Sequence, residues 1–330
     1  MAIKTNWIER NNRNYLKDVL PLNTPYSIQV ETIKACNFRC NYCAYSSLKI
    51  EPYIMQLDVF KNISNSLCKF PSKIKNFVFS GLGEPLINKD IFKMISLIKN
   101  TDHVENTTVL TNGSLLNENN IDNILNTYID EIRISLQGIT EEDYYKICGY
   151  KINFKEFVDN IEYLYKNRGN TKIALKIADI AIDTEDKQKK FFELFEDKAD
   201  YLIIQKISPL QNIVNYTDII SDYSKGVYIE NKTNCLVCPQ PFYSMQILAD
   251  GRVAPCCSLN LDSPTIGNIN SKNIYDTWND NKLRDLRIRM LKGNRNLIGG
   301  CKNCNYPEFQ YNKYDYIDNY REELLTKYEE

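Results

Sequence analysis

Along the first two thirds of the chain, two rhythms of apolar and polar positions alternate. Short runs that are mostly apolar or have a period of two read as strands, at Tyr26–Thr32, Ile74–Ser80, Asn106–Thr111, Glu131–Leu136, Lys172–Ala178 and Tyr201–Lys206. Segments of helical character lie between them, near Leu57–Cys68, Asp90–Lys99, Asn117–Asn126, Phe154–Tyr165 and Glu185–Glu196. Strands separated by helices of about 10 to 15 residues build βαβ units around a parallel sheet. The expected fold class is α/β, with functional loops at the C-terminal ends of the strands, where open sheets and barrels hold their ligands.

The pattern changes further on. Residues 213–233 read as a connector rich in Asn, Asp, Ser and Tyr. Within 234–312, Ser244–Leu248 and Val253–Cys256 form a candidate hairpin through Ala249-Asp250-Gly251-Arg252, since Asp-Gly is a favoured turn dipeptide. A helix is expected from about Asn273 to Leu291, then a Gly-rich approach to Cys301 and Cys304. The expected organisation is an extension over 1–25, an α/β core over 26–212, the connector, a small domain over 234–312 and a helical tail over 313–330. Such a short domain cannot bury a large apolar core, so a metal centre is a sensible staple.

Composition narrows the function classes. A chain of 330 residues, 43% hydrophobic and 25% charged, suits a globular protein with a substantial core. Its 41 basic and 42 acidic side chains lack the basic surplus of a nucleic-acid groove, and Asp285 interrupts the nearest basic stripe, Arg284 to Lys292. The first 20 residues contain no signal peptide, and no window reaches the roughly 18 apolar residues of a membrane span. A cytoplasmic protein without nucleic-acid or membrane partners is expected.

The cysteines change the picture most. There are eleven, an odd number for a disulfide framework, and they cluster. Cys36, Cys40 and Cys43 crowd one loop, whereas Cys235, Cys238, Cys256, Cys257, Cys301 and Cys304 populate the last third. Clustered thiolates in a reducing compartment point to zinc or iron–sulfur. Cys36-Asn-Phe-Arg-Cys40-Asn-Tyr-Cys43 follows a strand directly, and three thiolates can bind three irons of a cubane, leaving the fourth for an exogenous chelator. Structural zinc is the alternative, but it requires four protein ligands, and His103 is the chain's one histidine. Cys68 and Cys148 stand apart and read as structural or incidental.

CxxxCxφC, with Tyr42 at φ, resembles the defining motif of the radical S-adenosylmethionine (SAM) superfamily, over roughly residues 26–205. Ser80-Gly81-Leu82-Gly83-Glu84-Pro85 resembles the family's GGE motif, with Leu82 in place of its frequent second glycine; Thr111-Asn112-Gly113 and Ser135-Leu136-Gln137-Gly138 follow at later strand ends. The resemblance implies a partial (β/α)6 barrel and SAM ligated at the open iron of a [4Fe–4S] cluster held by Cys36, Cys40 and Cys43. It also implies SAM contacts among Tyr42, Gly81, Gly83, Glu84, Asn112, Ser135 and Lys176. The last third resembles a reduced SPASM, or twitch, domain, which implies a second [4Fe–4S] cluster on Cys238, Cys256, Cys301 and Cys304. A flavodoxin or ferredoxin-like protein is the implied electron donor.

Related enzymes suggest oxidation of a sugar or cyclitol alcohol to a carbonyl. Three alternatives remain open at the level of sequence: an epimerase using Cys257 or Cys235 as hydrogen donor, a peptide-modifying enzyme, and a noncatalytic metal scaffold. The short stretch before the first strand favours a small-molecule substrate over a peptide.

Overall fold

The computed structural model describes residues 1–5, 13–210, 213–220, 222–227, 232–256 and 263–330. One sheet runs through it. Its strands are β1 (Ile3–Lys4), β2 (Ser27–Val30), β3 (Ile74–Phe79), β4 (Val104–Thr111), β5 (Glu131–Leu136), β6 (Lys172–Ala178), β7 (Tyr201–Gln205), β8 (Ser244–Ile247), β9 (Arg252–Ala254) and β10 (Gly267–Asn268). Their spatial order is β1-β7-β6-β5-β4-β3-β2-β8-β9-β10. From β2 to β7 each strand lies parallel to the next in sequence. Helices at Leu57–Ser66, Ile91–Lys99, Glu118–Leu125, Phe154–Asn167 and Glu185–Phe195 follow the expected rhythm, and the result is the partial (β/α)6 barrel.

Alternation along the strands separates the two faces of the sheet. On β5, Ile132, Ile134 and Leu136 are buried, whereas Glu131, Arg133 and Ser135 are half-buried. The same division occurs on β2, where Ile28 and Val30 are buried and Ser27 and Gln29 are half-buried. The apolar face packs on the helices. Phe60, from helix Leu57–Ser66, stacks on Phe79 with ring centroids 5.7 Å apart and meets Phe77 edge-on at 6.4 Å. The partly polar face is left to line the barrel interior.

Three elements differ from the sequence expectation. Helix Glu141–Cys148 was not anticipated, although Thr140 Oγ1 caps it by accepting from Asp143 N at 3.1 Å and Gly149 closes it at φ +64°. The single helix expected from Asn273 to Leu291 is two, Ile274–Trp278 and Asn281–Leu291, because Asp280 turns out of the first to cap the second through Lys282 N at 2.7 Å. The hairpin does form, with Ile247 opposite Val253, yet β8 also pairs in parallel with β2, Ser27 beside Ser244 and Val30 beside Ile247. The C-terminal segment thus continues the barrel sheet and satisfies the backbone groups of its β2 edge, while β1 does the same on β7. Among the described residues no helix is long and apolar enough to cross a membrane.

Candidate active site

The cysteine loop leaves β2 and is anchored from below by the unanticipated helix. Arg39 N donates to Cys148 O at 2.8 Å and Asn41 N to Ile147 O at 2.9 Å, using carbonyls that a helix C-terminus leaves without intrahelical partners. Phe38 is buried between Tyr144 and Tyr150, at centroid distances of 6.2 and 4.8 Å. Burial pushes the Cys36 thiol up to about 11, and nearby Glu84 and Cys43 add to the rise. Cys43 is raised chiefly by burial; Cys40 is raised by a hydrogen bond with Cys148, by burial and by the charges of Cys43 and Cys36. One buried and two half-buried thiols, all with raised pKa, favour the neutral form until a cation compensates them, which is the chemistry of a metal-cluster donor set.

Close backbone approach requires the glycines after β3. Gly81 sits at φ +145°, and a Cβ there would lie 2.7 Å from the Glu31 side chain; at Gly83 it would lie 2.1 Å from the Ile33 carbonyl oxygen. Leu82 is buried with Ala44, Tyr45, Val214 and Tyr216, packing against the helical end of the cysteine loop. Glu84 is 2% exposed. Its Oε1 accepts from Leu86 N at 3.0 Å and Thr111 Oγ1 at 2.7 Å, and its Oε2 from Asn112 N at 2.6 Å. Burial raises its carboxyl to about 7 against those three donors. Asn112 Nδ2 donates to Asn37 Oδ1 at 2.8 Å and lies 3.9 Å from Cys36 Sγ. The ends of β3 and β4 are thereby tied to the cysteine loop.

A cleft of about 760 Å³, counted to its open mouth, lies beside this assembly. Tyr42, Cys43, Ser135 and Lys176 line it together with Lys206 and Ser208. Ser135 and Lys176 are register neighbours on β5 and β6. Tyr42 donates its hydroxyl to Gln137 Oε1, and Gln137 Nε2 donates to Ser135 O at 3.1 Å, so Tyr42 props the cysteine loop against the end of β5. Burial, reinforced by Arg133, lowers the Lys176 ammonium to about 8. Sequence reasoning missed Lys206, Ser208 and Tyr216, which follow β7 in a stretch without a motif; their one signal was position just beyond a strand end.

The second cysteine set meets in another cavity, lined by Cys238, Cys256, Cys301 and Cys304. Cys238 is pushed well up by burial and by Cys256 and Cys304, and Cys301 up to about 11 by burial and Cys304. Arg295 Nη1 donates to Cys304 O at 2.8 Å and fixes the last turn. Four thiols lining one cavity are a donor set that a [4Fe–4S] cluster or a tetrahedral zinc would use. Cys235 lines a different cavity with Arg13 and Asp315. Cys257 lies outside the described residues. Cys68 is exposed and donates to Asn65 O at 3.3 Å.

Residues 30–185 match the radical SAM superfamily model, and residues 238–305 match the SPASM model, an iron–sulfur cluster-binding domain. The S-adenosyl-L-methionine-dependent 2-deoxy-scyllo-inosamine dehydrogenase of Niallia circulans is 24% identical over 294 residues, covering 88% of this chain and 97% of that protein. The crystal structure of BtrN in complex with AdoMet and 2-DOIA superposes with a TM-score of 0.57 at 20% identity, covering 88% of this chain and 97% of that one. Streptococcus suis SuiB bound to precursor peptide SuiA superposes with a TM-score of 0.64 at 15% identity, covering 93% of this chain and 77% of that one.

Proposed function

We propose, from the premise that this chain belongs to the radical SAM superfamily and carries a SPASM iron–sulfur domain, that it oxidises an alcohol carbon of a small polar metabolite, a sugar or cyclitol, to a carbonyl. SAM and [4Fe–4S] clusters are its cofactors. When bound, they supply one-electron cleavage of the SAM sulfonium and abstraction of hydrogen from an unreactive C–H bond. The observation that carries this reading is the set of three neighbouring thiols with raised pKa, one buried and two half-buried, whose last member, Cys43, opens on the same cleft as Ser135 and Lys176.

Cys36, Cys40 and Cys43 would hold the first cluster, and Cys238, Cys256, Cys301 and Cys304 the second. Glu84, Asn112, Ser135 and Lys176 would position SAM or substrate, with Gly81 and Gly83 permitting the close backbone approach. Full protein ligation of the second cluster suits an electron acceptor, and so supports oxidation. The dehydrogenase relative, matched along nearly its whole length, supports the same fate. Cys235 lines a cavity other than the cleft, which disfavours it as the hydrogen donor of an epimerase. The likeness to SuiB with its precursor peptide keeps peptide modification as the second reading. A flavodoxin or ferredoxin-like donor in a reducing cytoplasm would supply the electron.

Anaerobic reconstitution followed by reduction with SAM tests the proposal. Two cubanes per chain and 5'-deoxyadenosine are expected, and candidate alcohols in deuterated solvent should give a product two hydrogens lighter. A product of unchanged oxidation state carrying one solvent deuterium would replace oxidation with epimerisation. Stable zinc loading without SAM cleavage would reject the enzyme reading at this cleft.

A further inference from the structure

Among the described residues, the basic side chains of the cleft are two lysines. Lys176 and Lys206 both line it, and among the described lining residues none is Asp or Glu. Lys176 forms no salt bridge among the described residues, and the Lys206 ammonium is 3.9 Å from Asp222, whose side chain is 39% exposed. Arg133, on the same face of β5 as Ser135, is bound at 2.6 Å to Glu131, so that carboxylate is already engaged. Two lysines therefore face the cleft, and the ion pair that one of them makes, Lys206 with Asp222, is long.

A third group there is also short of a partner. Ser208 is 6% exposed, lines the cleft, and its Oγ is shielded from solvent without a hydrogen-bond partner. A buried hydroxyl left open at a ligand cleft is a donor that a ligand can complete. The backbone between Lys206 and Ser208 is fixed, because Ile207 N donates to Asp179 Oδ1 at 2.9 Å, and the same oxygen accepts from Ile180 N at 3.0 Å. An ammonium and a hydroxyl on either side of a pinned residue form a donor pair for an oxyanion. An aminated substrate would bring a further cation to a cleft that already presents two lysines, which disfavours it.

We propose that the substrate is an anionic sugar or cyclitol whose carboxylate or phosphate is held by Lys206 Nζ and Ser208 Oγ, with Lys176 keeping the cleft cationic. This rests on the reading of the cleft as the radical SAM active site, and it assigns the substrate class within that reading. The Lys206 and Ser208 groups donate, and the substrate oxygens accept.

The test is equilibrium binding by calorimetry to the reconstituted, SAM-bound holoenzyme under anaerobic conditions. The probes are inositol monophosphate and glucuronate, compared with neutral inositol and cationic glucosamine. At least one anionic probe should bind about tenfold or more tighter than the neutral one, a separation of about 1.4 kcal/mol, and glucosamine should bind weakest. Which anionic probe binds tighter distinguishes phosphate from carboxylate. Lys206→Met should abolish the anionic preference, Lys206→Arg should restore it, and Ser208→Ala should weaken the anionic probe several-fold. Equal binding of anionic and neutral probes, tighter binding of glucosamine, no measurable binding of either anion, or an unchanged preference in a folded Lys206→Met protein would each overturn the assignment. Wild-type protein assayed for 5'-deoxyadenosine in parallel separates the two claims: no SAM cleavage defeats the enzyme reading, whereas cleavage without anionic preference defeats only this one.

Discussion

Glu84 is an ionisable group with almost no contact with water, held by donors from two strand ends. Its folded pKa of about 7 stands above the ordinary carboxyl value of 4.5 because burial disfavours the charge more than three donors favour it. A raised carboxyl contributes stability that is complete below the unfolded pKa and lost as pH rises through the folded one. Urea unfolding of cluster-free protein should therefore show the wild type losing stability relative to Glu84→Gln across that window, by at most about 3 kcal/mol; a constant difference would remove Glu84 as the cause. A cationic partner reverses the balance, so SAM binding near neutrality should release a proton, detectable by calorimetry in buffers of different ionisation enthalpy. The thiols can be assigned individually. Cys36→Ala, Cys40→Ala or Cys43→Ala should each remove about half of the iron and abolish SAM cleavage, because a cubane held by three ligands does not tolerate the loss of one. Cys148 touches Cys40 and is, among the described residues, the one thiol outside the motif within hydrogen-bonding reach of it. Cys148→Ser should keep the full iron content; loss of a cluster would make Cys148 a ligand and leave SAM no open iron.

Helix Glu141–Cys148 is a short element on which the cysteine loop rests. Its stop signals are local: Thr140 satisfies an amide at the start, and Gly149 adopts at the end a left-handed conformation that costs other residues about 1 kcal/mol. Thr140→Ala and Gly149→Ala should each lower stability by about 1 kcal/mol in denaturant titration, and both should speed iron loss to a chelator as the carbonyls of Ile147 and Cys148 release Arg39 and Asn41. Unchanged chelation rates would show that the loop holds its shape without the helix. The loop after β3 behaves differently. Gly83 has no room at all, with a Cβ meeting backbone oxygen at 2.1 Å, so Gly83→Ala should displace the loop that carries Glu84 and abolish SAM binding even in protein that folds.

At the scale of the molecule, the two cysteine-bearing regions share one sheet. Four register pairs join β8 to β2, from Ser27 with Ser244 to Val30 with Ile247. Glu31 continues the seam, accepting from Leu82 N at 2.9 Å on one side and from Ala249 N at 3.3 Å on the other. Trp278 Nε1 donates to Leu22 O at 2.9 Å and closes it from outside. Deleting the chain beyond residue 233 would bare the β2 edge, and unpaired parallel edges aggregate. The truncated protein should elute as aggregate in size-exclusion chromatography; a soluble monomer would show that the barrel stands without its C-terminal neighbour.

The barrel strands and most of its helices were legible because alternation and helical spacing are local properties, and each element repeats the same burial problem. The cysteine spacing and the Gly81–Pro85 run were legible for a related reason: cluster ligation and close backbone approach restrict residue type at fixed separations. The helix that ends at Cys148 was missed although its caps were present, since eight residues with two central tyrosines give little amphipathic signal. Lys206 and Ser208 carried no motif, because a substrate contact depends on what surrounds a side chain in space. The sequence by itself determined the periodicities, the turns and the donor sets. Only the tertiary structure decided that β8 lies on β2, that Cys148 reaches Cys40, and that two lysines face one cleft, because those facts depend on contacts between segments far apart in the chain, and no local pattern encodes them.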